Sequence, residues 1–241
     1  MIGLVLTAVT LYQAATATPP EYEALLVETE ALEASGELDR QRQQLESQVA
    51  ALVSEAQQND RWSTVVTAEQ LNGWLTMQLP IDFPELEKTG VRQPRLLLKE
   101  NEMLIACQAR VQRRNAVISA TLVPVVGEQG WVGVEIKSVR VGKLPLPIDT
   151  LISKADRAIR DARITPDKLR YRWAESDGNT VLMFDLEQIA SSVDQVRRLD
   201  TLEVRDGELL IGGRNEDRAA ATVPRAEVVP EPTLPLPAPS E

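Results

Sequence analysis

The sequence predicts an α+β fold: a mainly antiparallel sheet laid out as a meander and packed with helices, with a long helix ahead of it and a disordered tail behind. Three observations carry this. Residues 21–58 hold no proline, one glycine and helically spaced apolar side chains. Near Arg95 the apolar spacing changes from a helical period of about 3.6 to a period of about 2, as in strands that bury one face. Beyond Glu216 there are six prolines and few residues able to build a core. The chain therefore divides into an apolar segment 1–20, an acidic helical segment 21–58, an α+β domain 59–215 and a Pro-rich acidic tail 216–241.

Residues 1–20 carry no charge. Such a run is long enough to cross a bilayer as a helix, and Ala15-Thr16-Ala17 also fits a small-x-small cleavage site, although no basic residue leads the stretch. A membrane anchor, a cleaved signal and a buried N-terminal helix all remain open. The first two imply a cell-membrane or exported protein.

From Glu21 to Gln58, strong helix formers predict one long helix or two joined near Ser35-Gly36. Leu38, Leu45 and Leu52 recur every seven residues, with Val49 and Ala56 beside them. That narrow stripe suits a coiled-coil seam or a helix docked along one side of a domain. The docked helix is preferred, because the heptads are not sustained.

Thr67 and Gln70 have the spacing of a capping box, which predicts a second helix whose apolar face is Leu71, Trp74, Leu75 and Leu79. Pro80 is expected to stop it, with Ile81 to Pro84 extended. Strands follow over residues 95–99, 103–112, 116–126 and 131–141. Met103, Ile105, Cys107, Ala109 and Val111 share one face of the second strand, and Gln108, Arg110 and Gln112 the other. A third helix is predicted over 149–162, a hairpin over 168–173 and 180–186, a short helix over 188–199, and a last small hairpin around Asp206-Gly207.

The absence of histidine removes Ser-His-Asp and Cys-His catalysis and imidazole ligation, and a single cysteine removes internal disulfides and multi-cysteine metal sites. No nucleophile elbow, phosphate loop or calcium loop is present. The paired carboxylates Glu85/Glu87 and Glu100/Glu102 read as solvated turn charges, and Cys107 as an inert apolar-face thiol. No catalytic residue, metal or cofactor is therefore expected. The formal charge of -10 resides in the flanks: residues 21–58 hold nine acidic residues against two basic, residues 216–241 five against two, and the domain between is balanced. A balanced domain with acidic flanks offers little to the phosphates of a nucleic acid.

Basic residues gather at Arg157, Arg160, Arg163, Lys168, Arg170 and Arg172. They suit either anionic lipid head groups, for which Arg157, Arg160, Arg163 and Arg172 are the candidate contacts, or a solvated face relieved by the Asp156/Arg160 and Arg157/Asp161 pairs.

The order of elements, with Thr67-Ala-Glu-Gln-Leu-Asn-Gly-Trp-Leu75 and Val139-Arg-Val-Gly-Lys-Leu-Pro-Leu-Pro147 as its two motifs, resembles the YpmS-like group of uncharacterised membrane-tethered bacterial proteins, and more distantly the tubular lipid-binding (TULIP-like) superfamily. The similarity spans roughly Trp62 to Leu186. It implies a curved antiparallel sheet wrapped on a helix, with an apolar groove for an acyl chain; it carries over no functional residues. From the residues themselves, a sheet face left partly open would become such a groove, with Trp74, Met103, Ile105, Val117, Trp131 and Phe184 as candidate lining. The function expected is a non-enzymatic, membrane-tethered or exported domain binding lipid or another apolar ligand. The alternative is a scaffold contacting protein partners through its acidic helix and Pro-rich tail.

Overall fold

The computed structural model describes residues 14–84, 86, 90–111, 114–127, 131–148, 152, 171–176, 178–185 and 195–217. The acidic segment forms two helices, α1 (Pro20–Ala34) and α2 (Glu37–Gln58), joined at Ser35-Gly36. Pro20 sits in the first turn of α1, where a missing N–H costs nothing, and Glu21 and Glu23 lie at the positive end of the helix dipole. Gly36 makes the joint with φ 74°, a left-handed conformation that costs a side-chain-bearing residue about 1 kcal/mol or more. Leu38, Leu45 and Ala56 of the seven-residue stripe are buried, so α2 is docked along the domain.

Strand β1 (Arg61–Thr67) leads into α3 (Ala68–Met77), which opens with the expected capping box: Gln70 N donates to Thr67 Oγ1 at 3.3 Å and Thr67 N to Gln70 Oε1 at 3.0 Å. The expectation that Ile81 to Pro84 is extended fails for its first half. Pro80 lies in the first turn of a short helix, α4 (Leu79–Asp82), where proline is tolerated, and so restarts a helix after ending one.

The strands form two antiparallel sheets. The larger has seven strands: β2 (Arg92–Lys99), β3 (Glu102–Val111), β4 (Arg114–Val126), β5 (Trp131–Val141), β6 (Leu144–Pro145), β7 (Tyr171–Ser176) and β8 (Asn179–Asp185), in the order β2-β3-β4-β5-β8-β7 with β6 on β5. Strands β2 to β5 are the expected meander, to which the β7–β8 hairpin adds through β8, and the curved sheet is bent by bulges between Arg92 and Arg95 and between Thr121 and Leu122. The smaller sheet pairs β1 with β10 (Glu208–Asp217) and β10 with β9 (Gln195–Arg205). Residues 195–199 therefore belong to a strand, against the expected helix over 188–199. Their ladder to residues 213–217 supplies backbone pairing that overrides weak helical spacing, and it takes Glu216 and Asp217 out of the tail. The remaining tail, the helix expected over 149–162 except Ile152, and residues 186–194 lie outside the described residues.

Burial also differs from a one-faced sheet. Ala106 and Val117, on the face opposite Met103 and Ile105, are buried against Tyr22 and Leu26 of α1. The other face packs Leu96, Leu98 and Met103 with Ala68, Leu71, Val204 and Leu209. Full burial of a side chain such as Leu98 contributes about 1.5–3 kcal/mol. The outer edge of β2 is closed by its neighbours. Asn72 of α3 donates from Nδ2 to the Leu96 carbonyl and accepts from the Leu96 N–H, both at 2.8 Å, and Gly207 N donates to the Leu98 carbonyl. An edge that would otherwise recruit another strand is sealed.

Candidate functional site

Helix α3 is the shared wall of two clefts. On one side it faces α2 and the smaller sheet. The α2–α3 approach is close because Gly73 has no side chain: a Cβ there would lie 3.0 Å from the Leu38 carbonyl oxygen and 3.1 Å from Arg42 N. Beside this contact a cavity of about 490 Å³ opens. Helix α2 contributes Leu45, Val49 and Ala50, helix α3 contributes Leu71 and Trp74, and the strands contribute Val66, Leu209 and Ile211. Register explains the strand contribution: Val66 stands opposite Leu209 and Thr64 opposite Ile211, so one face of the β1-β10 pair is turned to the helices. The remaining lining residue, Glu46, receives a hydrogen bond from Arg42 Nη1 at 2.6 Å. Val49 is 47% exposed and forms the lip.

On the other side of α3, a cleft of about 460 Å³ lies between α1, α3, α4 and the start of β2. Leu75, Leu79, Pro80, Leu86 and Val91 give it apolar walls, Glu30 and Glu33 of α1 stand exposed at its rim, and Arg92 and Arg95 line it from β2. Arg95 is only 3% exposed. Its Nη1 donates to the Pro94 carbonyl at 2.8 Å and its buried Nε has no partner. Burial pushes the Arg95 guanidinium below its ordinary pKa, opposed by Tyr22, Glu33 and Glu30. Tyr22 is fully buried and donates from its hydroxyl to the Gln93 carbonyl at 2.8 Å; burial raises its phenol to about 12.

A third, polar cavity of about 470 Å³ lies where α1 begins, lined by Pro19 and Pro20 and by Lys99, Arg140 and Lys143 with Glu21 and Glu102. Lys143 N donates to the Ala14 carbonyl at 2.8 Å, which ties the start of the described chain to the β5–β6 turn.

The six candidate lining residues are distributed over these surfaces. Trp74 lines the apolar cavity. Met103, Ile105 and Phe184 share one face of the large sheet by register, with Met103 packed on the Leu98 cluster. Val117 and Trp131 lie on the opposite face, Val117 in the cluster with Tyr22. Of the head-group candidates, Arg172 is exposed and sets its guanidinium 4.3 Å from the centroid of the Trp131 ring, while Arg157, Arg160 and Arg163 lie outside the described residues. Cys107 is half-buried and its thiol is pushed up by that burial, so the thiolate is scarce at neutral pH. Glu100 and Glu102 are exposed at the β2–β3 turn, and Glu85 and Glu87 lie outside the described residues.

Among the described residues, no helix is long and apolar enough to cross a membrane; the uncharged residues 1–13 lie outside them. No protein-family model matches the chain, and no curated protein or solved structure does either. The α+β architecture defines the class of protein.

Proposed function

We propose that this is a non-enzymatic binding domain that accommodates a hydrocarbon chain in the cavity between α2, α3 and the smaller sheet. The observation that carries this reading is the lining: eight apolar side chains and one carboxylate already bonded to Arg42, around about 490 Å³. That volume falls in the range of small-molecule sites, and walls built almost wholly of apolar side chains favour an apolar ligand. The resemblance to the YpmS-like group implies the same ligand class, and Trp74 belongs to its first motif.

The domain is proposed to work beside a membrane, tethered by its N-terminal segment or exported. Support comes from the uncharged residues 1–20 and from Lys99, Arg140 and Lys143, gathered where that segment joins the domain. Native mass spectrometry of the full chain, followed by thermal shift of the delipidated protein with 1-decanol, tests the ligand. Bound lipid and a higher Tm with decanol, both lost in Val49→Glu, are expected. A delipidated protein whose Tm decanol leaves unchanged rejects the reading.

A second reading is favoured by Val27, Val49 and Val53, exposed on the two acidic helices: a scaffold whose helices contact a protein partner. It predicts that Val27→Glu, which lies outside the apolar cavity, removes the interaction and leaves decanol binding intact.

A further inference from the structure

The second cleft has a chemistry the apolar cavity lacks. A buried guanidinium is costly unless its donors are paired, and among the described residues no carboxylate pairs with Arg95. Its orientation is built into the backbone. The bulge between Arg92 and Arg95 takes Gln93 and Pro94 out of the ladder, and Gln93 adopts φ 48°, in the left-handed region where a side-chain-bearing residue is strained. The buried Tyr22 hydroxyl holds that strained peptide in place. Bulges recur where a strand must re-aim a side chain, and here the side chain lines a cavity of about 460 Å³.

A guanidinium that lines a cleft without a carboxylate partner is suited to pair with a carboxylate or phosphate that a ligand brings. The rim limits the choice further. Glu30 and Glu33 set two negative charges against Arg92 and Arg95, so the charged groups that line the cleft balance among the described residues. A ligand that is only anionic meets the two carboxylates on its way in, whereas a ligand that also carries an ammonium is attracted by both.

We propose that this cleft binds a zwitterion, an oxyanion with an ammonium a few bonds away, with Arg95 holding the oxyanion and Glu30 and Glu33 the ammonium. Phosphoethanolamine has this chemistry, free or as the head group of a lipid. The apolar walls formed by Leu75, Leu79 and Val91 take whatever hydrocarbon the ligand carries. The proposal does not rest on the apolar cavity across α3.

Calorimetric titration of the full chain with O-phosphoethanolamine, inorganic phosphate and ethylamine tests it. O-phosphoethanolamine is expected to bind best. Arg95→Met should weaken it about tenfold or more, as expected for a lost charge-assisted pair, with Arg95→Lys intermediate because a point charge cannot make the fork. The double variant Glu30→Gln/Glu33→Gln should reverse the preference in favour of inorganic phosphate. It changes only exposed rim residues, so it carries the test if Arg95→Met fails to fold. Val49→Glu should leave all three affinities unchanged, which separates failure here from failure of the acyl-chain reading. Flotation with phosphatidylethanolamine vesicles, in competition with the free compound, assigns the source: vesicle binding displaced by O-phosphoethanolamine marks a head-group site, and free-compound binding without flotation a soluble ligand. Overturning results are an O-phosphoethanolamine affinity unchanged in Arg95→Met, a rim variant with an unaltered preference, or no binding by the native chain.

Discussion

The two clefts that share α3 as a wall are nearly equal in size, about 490 and 460 Å³, yet opposite in what they offer a ligand. The one beside α2 is lined by Leu, Val, Ile, Ala and Trp side chains, and its single carboxylate is bonded to Arg42. The one beside α1 is backed by a buried guanidinium with an unpartnered donor. Volume alone does not distinguish them; desolvation does. Hydrocarbon entering the first would gain about 25 cal/mol per Å², whereas in the second that gain would accompany pairing of a charge that the fold has already taken out of water.

Because both clefts depend on where α3 sits, the largest effect should come from the residue that fixes it to the sheet. Asn72→Ala leaves the N–H and carbonyl of Leu96 without their partner. We expect a loss of about 2–4 kcal/mol in urea unfolding, together with the ligand responses of both clefts. Loss of one response alone would show that the clefts are positioned independently.

Alkaline pH should sharpen the contrast, because Tyr22 lies behind the guanidinium cleft. Its folded pKa of about 12 lies above the ordinary 10.0, so the fold favours the protonated phenol. The stability this contributes, roughly 2–3 kcal/mol, is intact below about pH 10 and is lost as the pH rises through 12. Unfolding measured across that range should show this loss, and Tyr22→Phe should remove the part due to Tyr22.

A smaller change acts where α2 and α3 touch. Replacing a helical glycine with alanine ordinarily stabilises by about 1 kcal/mol, but in Gly73→Ala the new methyl meets backbone atoms at 3.0 and 3.1 Å. The sign should reverse to a loss of about 1–2 kcal/mol, with weaker decanol binding and little change at the guanidinium cleft. Smallest of all, Arg172→Ala removes an exposed cation–π contact remote from both clefts and should cost about 0.5–1 kcal/mol, with both ligand responses intact.

What the sequence made legible is what neighbouring residues determine. The capping box is written in Thr67 and Gln70, the joint in Ser35-Gly36, and the strands of the large sheet in an alternating pattern cut by turns. The apolar cavity is different. Its walls come from residues 45–50, 66–74 and 209–211, and only the β1–β10 register brings the last group to the helices. Trp74 could be picked out as an aromatic on an amphipathic helix. Val117 could not be sorted from Ile118 until the pairing of Val117 with Gln108 assigned it to the face under α1. Arg95 reads as an ordinary strand residue; the available signal was Pro94, since a proline at the start of a strand points to an edge or a bulge.

The central claim, that the cavity beside α2 accepts hydrocarbon, is tested most directly by binding a homologous series of 1-alkanols to the delipidated chain. If methylenes enter the cavity, each added carbon should contribute up to about 0.8 kcal/mol until the cavity is filled, and that slope should vanish in Val49→Glu. An affinity independent of chain length, or a slope unchanged by Val49→Glu, would contradict it.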